Sequence, residues 1–164
     1  MSDFGKKKVL IVAGEASGDL HGANLVLAML AIAPHLDFYG VGGPKMREAG
    51  VRCLADAAEM AVVGLTEVFS RLGTILGTMR RLKRSLTEEA PALAILIDYP
   101  DFNMPLAKAA KRKGVRVFYY ISPQVWAWRR GRIAQLRERV ERIAVILPFE
   151  AEMYRREGVE AVFV

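Results

Sequence analysis

Short, nearly continuous apolar segments alternate with helical patterns along the whole of this 164-residue sequence. The clearest segments are KVLIVAG near the start, ALAILID in the middle and RIAVIL near the end. Strands of this kind are typical of a parallel sheet covered by helices on both faces, because neither face then carries alternating polar residues. The repeated strand–helix units therefore predict an α/β fold with a doubly wound, mainly parallel sheet.

The composition is that of one soluble globular domain with a sizeable core, since 52% of the residues are hydrophobic and 26% are charged. The single cysteine, Cys53, excludes a disulfide framework and is typical of a reducing cytoplasm. No secretory signal precedes the first strand, and no apolar stretch is long enough to span a bilayer. The net charge of +6 predicts an anionic partner, which is nucleic acid, a phosphorylated metabolite or an acidic membrane surface.

The unusual loops all follow predicted strands: GEASGD, GVGGPK, DYPDFN, SPQVWAW and LPFE. Open parallel sheets bind ligands at the carboxyl ends of their strands, so we expect these loops to form one ligand-binding edge. GEASGD lacks the glycine spacing of a dinucleotide or Walker A loop, which argues against a nicotinamide cofactor. Ser17 and Gly18 either hold an anion or sugar hydroxyl at a helix N-terminus or belong to an ordinary turn capped by Ser17 or Asp19.

The DYPDFN loop contains two carboxylates, Asp98 and Asp101, directly after the clearest strand. A helix is predicted from Asn103, with Pro105 in its first turn, so Asn103 or Asp101 can cap it and Asp98 is not needed for capping. A carboxylate without a structural role that faces a ligand edge is placed as a general base would be. Asp98 is therefore the candidate catalytic residue, and a helix N-cap is the alternative.

Two further features suggest contacts with charged or amphipathic molecules. Trp126 and Trp128 precede Arg129 in one loop, and aromatic faces beside guanidinium groups suit a sugar phosphate, unless one tryptophan belongs to the core.

A long helix predicted from about residue 64 to 89 carries an apolar stripe that either packs on the core or enters an anionic bilayer. Nucleic acid is disfavoured, because the basic residues are scattered and no binding motif is present. The stripe and its basic flank comprise Val68, Phe69, Leu72, Ile75, Leu76, Met79, Arg80, Arg81, Lys83 and Arg84.

Six segments in order resemble the lipid-A-disaccharide synthases, a family of inverting glycosyltransferases: VAGEASGDLHGANL, GVGGPKM, MAVVGLTEV, IDYPDFN, SPQVWAWR and LPFE. The resemblance runs from about Lys8 to Val164. It implies a GT-B fold, in which two Rossmann-like domains face each other across a cleft. It also implies that residues 1–164 are the N-terminal, acceptor-side domain without the C-terminal nucleotide-sugar domain. The apolar, strand-like run at the end of the sequence fits this expectation.

The resemblance further implies a reaction. UDP-2,3-diacylglucosamine would donate its sugar to the 6-hydroxyl of 2,3-diacylglucosamine 1-phosphate, giving a β-1,6 disaccharide without a metal or other cofactor. Asp98 would be the base, and Asp101 would shape the loop or the helix start. The implied substrate contacts are Glu15, Ser17, Gly18, Asp101, Asn103, Ser122, Trp126 and Arg129.

The resemblance also implies a location. The apolar stripe would dock on an anionic membrane, so that the cytoplasmic protein associates peripherally with the inner face of the inner membrane. A homodimer, if one forms, would be built through the missing half. The alternative function is a non-catalytic Rossmann-like module that binds an acylated sugar phosphate or a membrane surface.

Overall fold

The computed structural model describes residues 5–60, 65–122 and 131–164, and the side chains of residues 65–70 lie outside this description. The strands are β1 Lys7–Ala13, β2 Leu36–Gly42, β3 Arg52–Asp56, β4 Leu93–Ile97, β5 Arg116–Tyr120, β6 Arg142–Val145 and β7 Ala161–Phe163. The helices in the described residues are α1 Ala16–Ile32, α2 Pro44–Glu48, α3 Ala57–Met60, α4 Leu65–Glu88, α5 Pro100–Arg112, α6 Gly131–Arg139 and α7 Pro148–Arg156.

The strands form one parallel sheet in the order β3-β2-β1-β4-β5-β6-β7. The chain builds outward from β1 to β3 and then returns to the other side of β1 with β4. The order therefore reverses between β1 and β4, where Ala13 pairs with Ile97 at the carboxyl ends of both strands. Connections that leave in opposite directions open a crevice at such a point. The predicted doubly wound parallel sheet is confirmed.

Both faces of the sheet are buried, as the unbroken apolar runs predict. Along β1, Leu10 and Val12 point into a larger core cluster, whereas Val9, Ile11 and Ala13 point into a smaller one. The larger cluster receives side chains from α4, α5, α6 and α7, and the smaller one from α1 and α2. Because helices cover both faces, a strand in the middle of this sheet has no solvent-facing side to carry polar residues.

The helix after β4 begins earlier than the sequence predicts. Helix α5 starts at Pro100 rather than Asn103, so Pro105 lies inside the helix. Its N-cap residue is Tyr99, which makes no side-chain capping hydrogen bond. The predicted capping roles of Asn103 and Asp101 are therefore wrong. The Asp101 carboxylate still lies in the first turn, where the helix dipole favours a negative charge.

Asp19 links α1 to α2 instead of capping α1. The N-cap position of α1 makes no side-chain hydrogen bond, so the predicted capping by Ser17 or Asp19 is wrong. The Asp19 carboxylate is only 4% exposed and accepts hydrogen bonds from the backbone N–H groups of Gly43 (2.7 Å), Met46 (3.0 Å) and Lys45 (3.1 Å). A Cβ on Gly43 would lie 2.6 Å from Asp19 Oδ2. Glycine at this position therefore leaves room for the carboxylate that caps α2.

Helix α4 divides the predicted apolar stripe between two sides. Ile75 and Met79 are half-buried and pack against the larger core cluster, contrary to a single docking stripe. Leu72 and Leu76 are 45% and 46% exposed. The side chains of Val68 and Phe69 lie outside the described residues. Among the helices that the structure describes, α4 included, none combines the length and the hydrophobicity needed to cross a bilayer.

Candidate active site

The reversal of strand order brings two acidic residues to the same edge of the sheet. Glu15 follows β1 and is exposed, whereas Asp98 follows β4 directly and is partly buried. Ser17, which is exposed, and Gly18, which is buried, lie in the first turn of α1 above this edge. In the described part of the chain, no group of three or more His, Cys, Asp or Glu side chains is arranged to hold a metal ion.

The backbone at Asp98 adopts a conformation that residues with side chains rarely take. Asp98 has φ 43° and Tyr99 has φ 45°, both in the left-handed region. This region costs roughly 1–2 kcal/mol for a residue with a Cβ, and aspartate tolerates it better than tyrosine does. Two such residues in succession persist only where their surroundings hold them in place.

The Tyr99 side chain is held on three sides. Its ring occupies the space above Gly14, where a Cβ would lie 2.3 Å from Tyr99 Cδ1. The ring also stacks on Phe102, with the two centroids 5.7 Å apart. The Tyr99 hydroxyl donates a hydrogen bond to the Met60 carbonyl oxygen at 3.0 Å. Gly14 in the GEASGD loop therefore has to be glycine, because any side chain there would clash with the ring of Tyr99.

Hydrogen bonds fix the Asp98 backbone on both sides of its Cα. Its N–H donates to the Tyr120 carbonyl oxygen at 3.3 Å. Its carbonyl oxygen accepts from the Tyr119 hydroxyl at 2.5 Å and from Asn103 Nδ2 at 2.8 Å. Asn103 Nδ2 also donates to the Ile97 carbonyl oxygen at 3.1 Å. Asn103 is therefore turned towards the backbone of the strand–helix turn, and it is fully buried there.

The environment of Asp98 favours the protonated carboxyl group. Burial raises the pKa of Asp98 above its ordinary value of 3.8, and the Glu15 carboxylate raises it further, whereas a hydrogen bond from the Tyr99 backbone N–H acts in the opposite direction. Burial, with a smaller effect of Asp98, also raises the pKa of Tyr119 well above that of an exposed tyrosine. The Tyr119 hydroxyl therefore stays protonated and remains a donor. A carboxylate with a raised pKa is a stronger base than an exposed one.

The remaining predicted site residues lie farther along the same edge or outside the described residues. Asp101 is exposed and forms an ion pair with Arg132 of α6. Ser122 follows β5, is buried, and shares a hydrogen bond with the Tyr154 hydroxyl of α7. Trp126 and Arg129 lie outside the described residues.

Reasoning from the sequence missed the two tyrosines that shape the Asp98 turn. Pro100 was a usable signal for Tyr99, because proline favours the first position of a helix and marks the preceding residue as the cap. Tyr119 had no comparable signal, since it is one of two adjacent tyrosines in an apolar strand. Its hydroxyl reaches Asp98 only because β4 and β5 are neighbours in the sheet.

Comparison with known proteins identifies the family. The sequence model of the family described as lipid-A-disaccharide synthetase matches residues 9–164. The chain belongs to the lipid-A-disaccharide synthase family. It is 62% identical to the synthase of Syntrophus aciditrophicus (strain SB) and 58% identical to that of Geobacter metallireducens, over 158 residues in each case. Each match covers 96% of this chain and 41% of the relative, so the chain spans about two-fifths of the length of these curated synthases.

A solved structure has the same fold at low sequence identity. It is described as a putative UDP-N-acetylglucosamine 2-epimerase from Listeria monocytogenes, and the match has a TM-score of 0.66 at 14% identity. The match covers 94% of this chain and 42% of that one. It confirms the Rossmann-like fold, and the family match confirms the resemblance seen in the six loop segments.

Proposed function

We propose that this chain is the acceptor-side domain of a glycosyltransferase that forms the lipid A disaccharide, and that Asp98 is its general base. Membership of the lipid-A-disaccharide synthase family supports the activity. One observation supports the base above all others: Asp98 is a partly buried carboxylate with a raised pKa, held in a left-handed turn at the β1–β4 crevice. Ligands of open parallel sheets bind at this position.

In the proposed reaction, Asp98 activates a poor nucleophile. As the acceptor 6-hydroxyl oxygen bonds to the anomeric carbon of UDP-2,3-diacylglucosamine, its proton passes to the Asp98 carboxylate. The bond from that carbon to the UDP oxygen breaks, and its electron pair leaves with UDP. General-base catalysis of this kind contributes about 10²–10⁴-fold to a rate. We assign stabilisation of the departing UDP chiefly to the part of the synthases that this chain does not match.

We assign Glu15, Ser17 and Gly18 to substrate binding, whereas the buried Asn103 faces the backbone of the Asp98 turn. Glu15, which is close enough to Asp98 to raise its pKa, and Ser17 in the first turn of α1 are both exposed and can form hydrogen bonds with sugar hydroxyls. Gly18 lies in the first turn of the long helix α1, whose N-terminus favours an anionic group such as the acceptor phosphate. Trp126 and Arg129 remain predicted contacts of the sugar phosphate.

An assay of the reaction tests this function directly. We expect the full-length synthase to convert UDP-2,3-diacylglucosamine and 2,3-diacylglucosamine 1-phosphate into disaccharide 1-phosphate and UDP in equal amounts, without added metal. We expect residues 1–164 alone to form little or no disaccharide, because we place the donor site between two domains. Mass spectrometry of the lipid products with quantification of UDP measures both. If the full-length protein binds both lipids and forms no disaccharide, the non-catalytic binding module is the correct alternative.

We further propose that the exposed side of α4 docks on an anionic membrane and that the protein associates peripherally with the cytoplasmic face of the inner membrane. Leu72 and Leu76 are exposed, and Arg80 and Lys83 follow at helical spacing on the same side. On another side of α4, the Arg81 guanidinium donates to the Leu54 carbonyl oxygen at 2.6 Å and fastens the helix to the sheet. The helix is thus anchored to the domain while part of its apolar surface faces solvent.

Paired serine substitutions separate docking from folding. We expect Leu72→Ser with Leu76→Ser to leave the melting temperature nearly unchanged and to weaken co-sedimentation with anionic liposomes. Added salt should weaken liposome binding further, because it screens the basic residues. The matched pair Ile75→Ser with Met79→Ser should instead destabilise the fold, by about 1–3 kcal/mol for each half-buried side chain. Unchanged liposome binding in the first pair would place the docking surface elsewhere.

A further inference from the structure

The carbonyl oxygen of Asp98 is bound by side chains from two different elements. The Tyr119 hydroxyl reaches it from β5 and the Asn103 amide from α5, at 2.5 and 2.8 Å. Both side chains are fully buried. The first helical hydrogen bonds of α5 go to the Tyr99 carbonyl oxygen, which accepts from Phe102 at 3.3 Å and Asn103 at 3.0 Å. The Asp98 carbonyl therefore lies before the start of the helix, and two side chains hold it there.

This arrangement fixes the direction in which the Asp98 side chain leaves the backbone. The Asp98 N–H is bound to the carbonyl oxygen of Tyr120, and its C=O is bound to Tyr119 and Asn103. With both peptide groups held, φ and ψ of Asp98 cannot relax, and a hydrogen bond from the Tyr99 N–H to the carboxylate restricts the side chain as well. A return from φ 43° to the extended region would swing the Cα–Cβ bond and move the carboxylate away from its position at the crevice.

We propose that Tyr119 and Asn103 are positioning residues, which hold the Asp98 carbonyl so that the left-handed turn presents the Asp98 carboxylate at the crevice. This inference rests on the proposed role of Asp98 as general base. Tyr119 donates to the main chain of Asp98, so its hydroxyl orients the base and takes no part in proton transfer. A base held in one orientation needs little reorganisation when the acceptor hydroxyl arrives, and small misplacements of such a group are costly in rate.

Tyr119→Phe in the full-length synthase removes this hydroxyl and leaves the ring in the core. We expect kcat to fall by about 10-fold or more and KM for the acceptor to change little, because misplacing a reacting group by about 1 Å can cost 100-fold. In a plot of kcat against pH, the acid limb, along which the rate rises as the base ionises, should also move to lower pH. A less constrained Asp98 carboxylate gains access to water, which lowers its pKa. The titratable and charged groups around it are Glu15 after β1, Tyr99 and Tyr119, with the Asp101–Arg132 pair beyond them. None of these except Tyr119 is altered by the substitution.

A second buried tyrosine provides a matched control. Tyr39 in β2 is also fully buried, and its hydroxyl donates to the Ser85 carbonyl oxygen at 3.5 Å. Tyr39→Phe should retain the parent kcat and the parent acid limb, because that hydroxyl is remote from the Asp98 turn. Asn103→Ala, which removes the other donor, should lower kcat and shift the acid limb as Tyr119→Phe does. It provides the same readouts if Tyr119→Phe fails to fold.

The outcomes distinguish this inference from the proposed function. If Asp98→Asn abolishes turnover while Tyr119→Phe and Asn103→Ala show the parent kcat and acid limb, the positioning role is overturned and the base is retained. If Asp98→Asn keeps full activity, the role of Asp98 as base fails, and the positioning role fails with it. A fall in kcat with an unmoved acid limb in both positioning variants would indicate a purely structural effect, and it would also overturn the inference.

Discussion

Asp98→Asn in the full-length synthase is expected to lower kcat by about 100-fold or more while KM for both substrates changes little. Asparagine preserves the size of the side chain and tolerates the left-handed backbone at this position, so the loss reflects the missing base. Initial rates of disaccharide formation at several concentrations of each substrate give kcat and KM separately.

Asp101→Asn is the matched control for this substitution. Asp101 is exposed, pairs with Arg132 and lies in the first turn of α5, so we expect its loss to affect the helix start more than turnover. If Asp101→Asn abolished turnover while Asp98→Asn retained it, the base would be the second acid of the loop.

The same Asp98→Asn variant is expected to melt at the parent temperature or above it at pH 7. The pKa of Asp98 is raised in the folded state, so the native protein binds this proton more tightly than the unfolded chain does. The contribution of this group to stability is therefore present at low pH and is lost as the pH rises through the folded-state pKa. Above that pKa the parent carries an ionised, partly buried carboxylate and the variant does not. A variant that melts well below the parent at pH 7 would indicate a structural role for the carboxylate.

Asp19→Ala is expected to destabilise the protein by about 3 kcal/mol or more. The substitution leaves three backbone N–H groups at the start of α2 without their acceptor. Those of Gly43 and Met46 are buried, and each unsatisfied buried donor costs about 1–3 kcal/mol. Thermal and urea unfolding of the full-length protein measure the loss. Glu48→Ala, at an exposed position of the same helix, should change stability by no more than about 0.5 kcal/mol. Equal effects of the two substitutions would show that Asp19 does not hold α1 and α2 together.

The sheet was predictable because burial on both faces leaves a direct trace in the sequence. The runs KVLIVAG and ALAILID contain no alternating polar residues, and they form the two central strands, β1 and β4. The position of Asp98 followed from the same pattern, since a residue that ends a central parallel strand lies at the ligand edge. The six loop segments then predicted the family, and the comparisons with known proteins confirm it.

The start of α5 was not predictable from local signals alone. Pro100 and Pro105 are both acceptable near the beginning of a helix, and the sequence offers two polar residues that can cap the later start. The structure selects Pro100 because Tyr99 is held in the left-handed conformation by contacts with residues distant in the chain, Gly14 and Met60. Such contacts do not appear in any local pattern.

The orientation of α4 depended on buried polar residues. Thr78 and Ser85 are 7% and 5% exposed, and the Ser85 hydroxyl donates to the Leu82 carbonyl oxygen at 2.8 Å within the helix. A count of apolar residues assigns such positions to solvent and so rotates the inferred buried side. The resemblance implied one docking stripe that included Ile75 and Met79, whereas the structure packs these two side chains against the core. The capping of α2 by Asp19 could not be predicted either. Asp19 lies in α1, and only the packing of α1 against α2 brings its carboxylate to the start of the second helix.

The pH dependence of kcat/KM in the full-length synthase tests the central claim, that Asp98 is the general base, most directly. A base must be ionised to act, so the rate should rise with pH along an acid limb whose midpoint lies above the ordinary aspartate pKa of 3.8, because burial and Glu15 raise the pKa of Asp98. In Asp98→Asn this limb should disappear, leaving a low rate with little pH dependence over the same range. An unchanged limb with the same midpoint in Asp98→Asn would contradict the account, since another group would then supply the base.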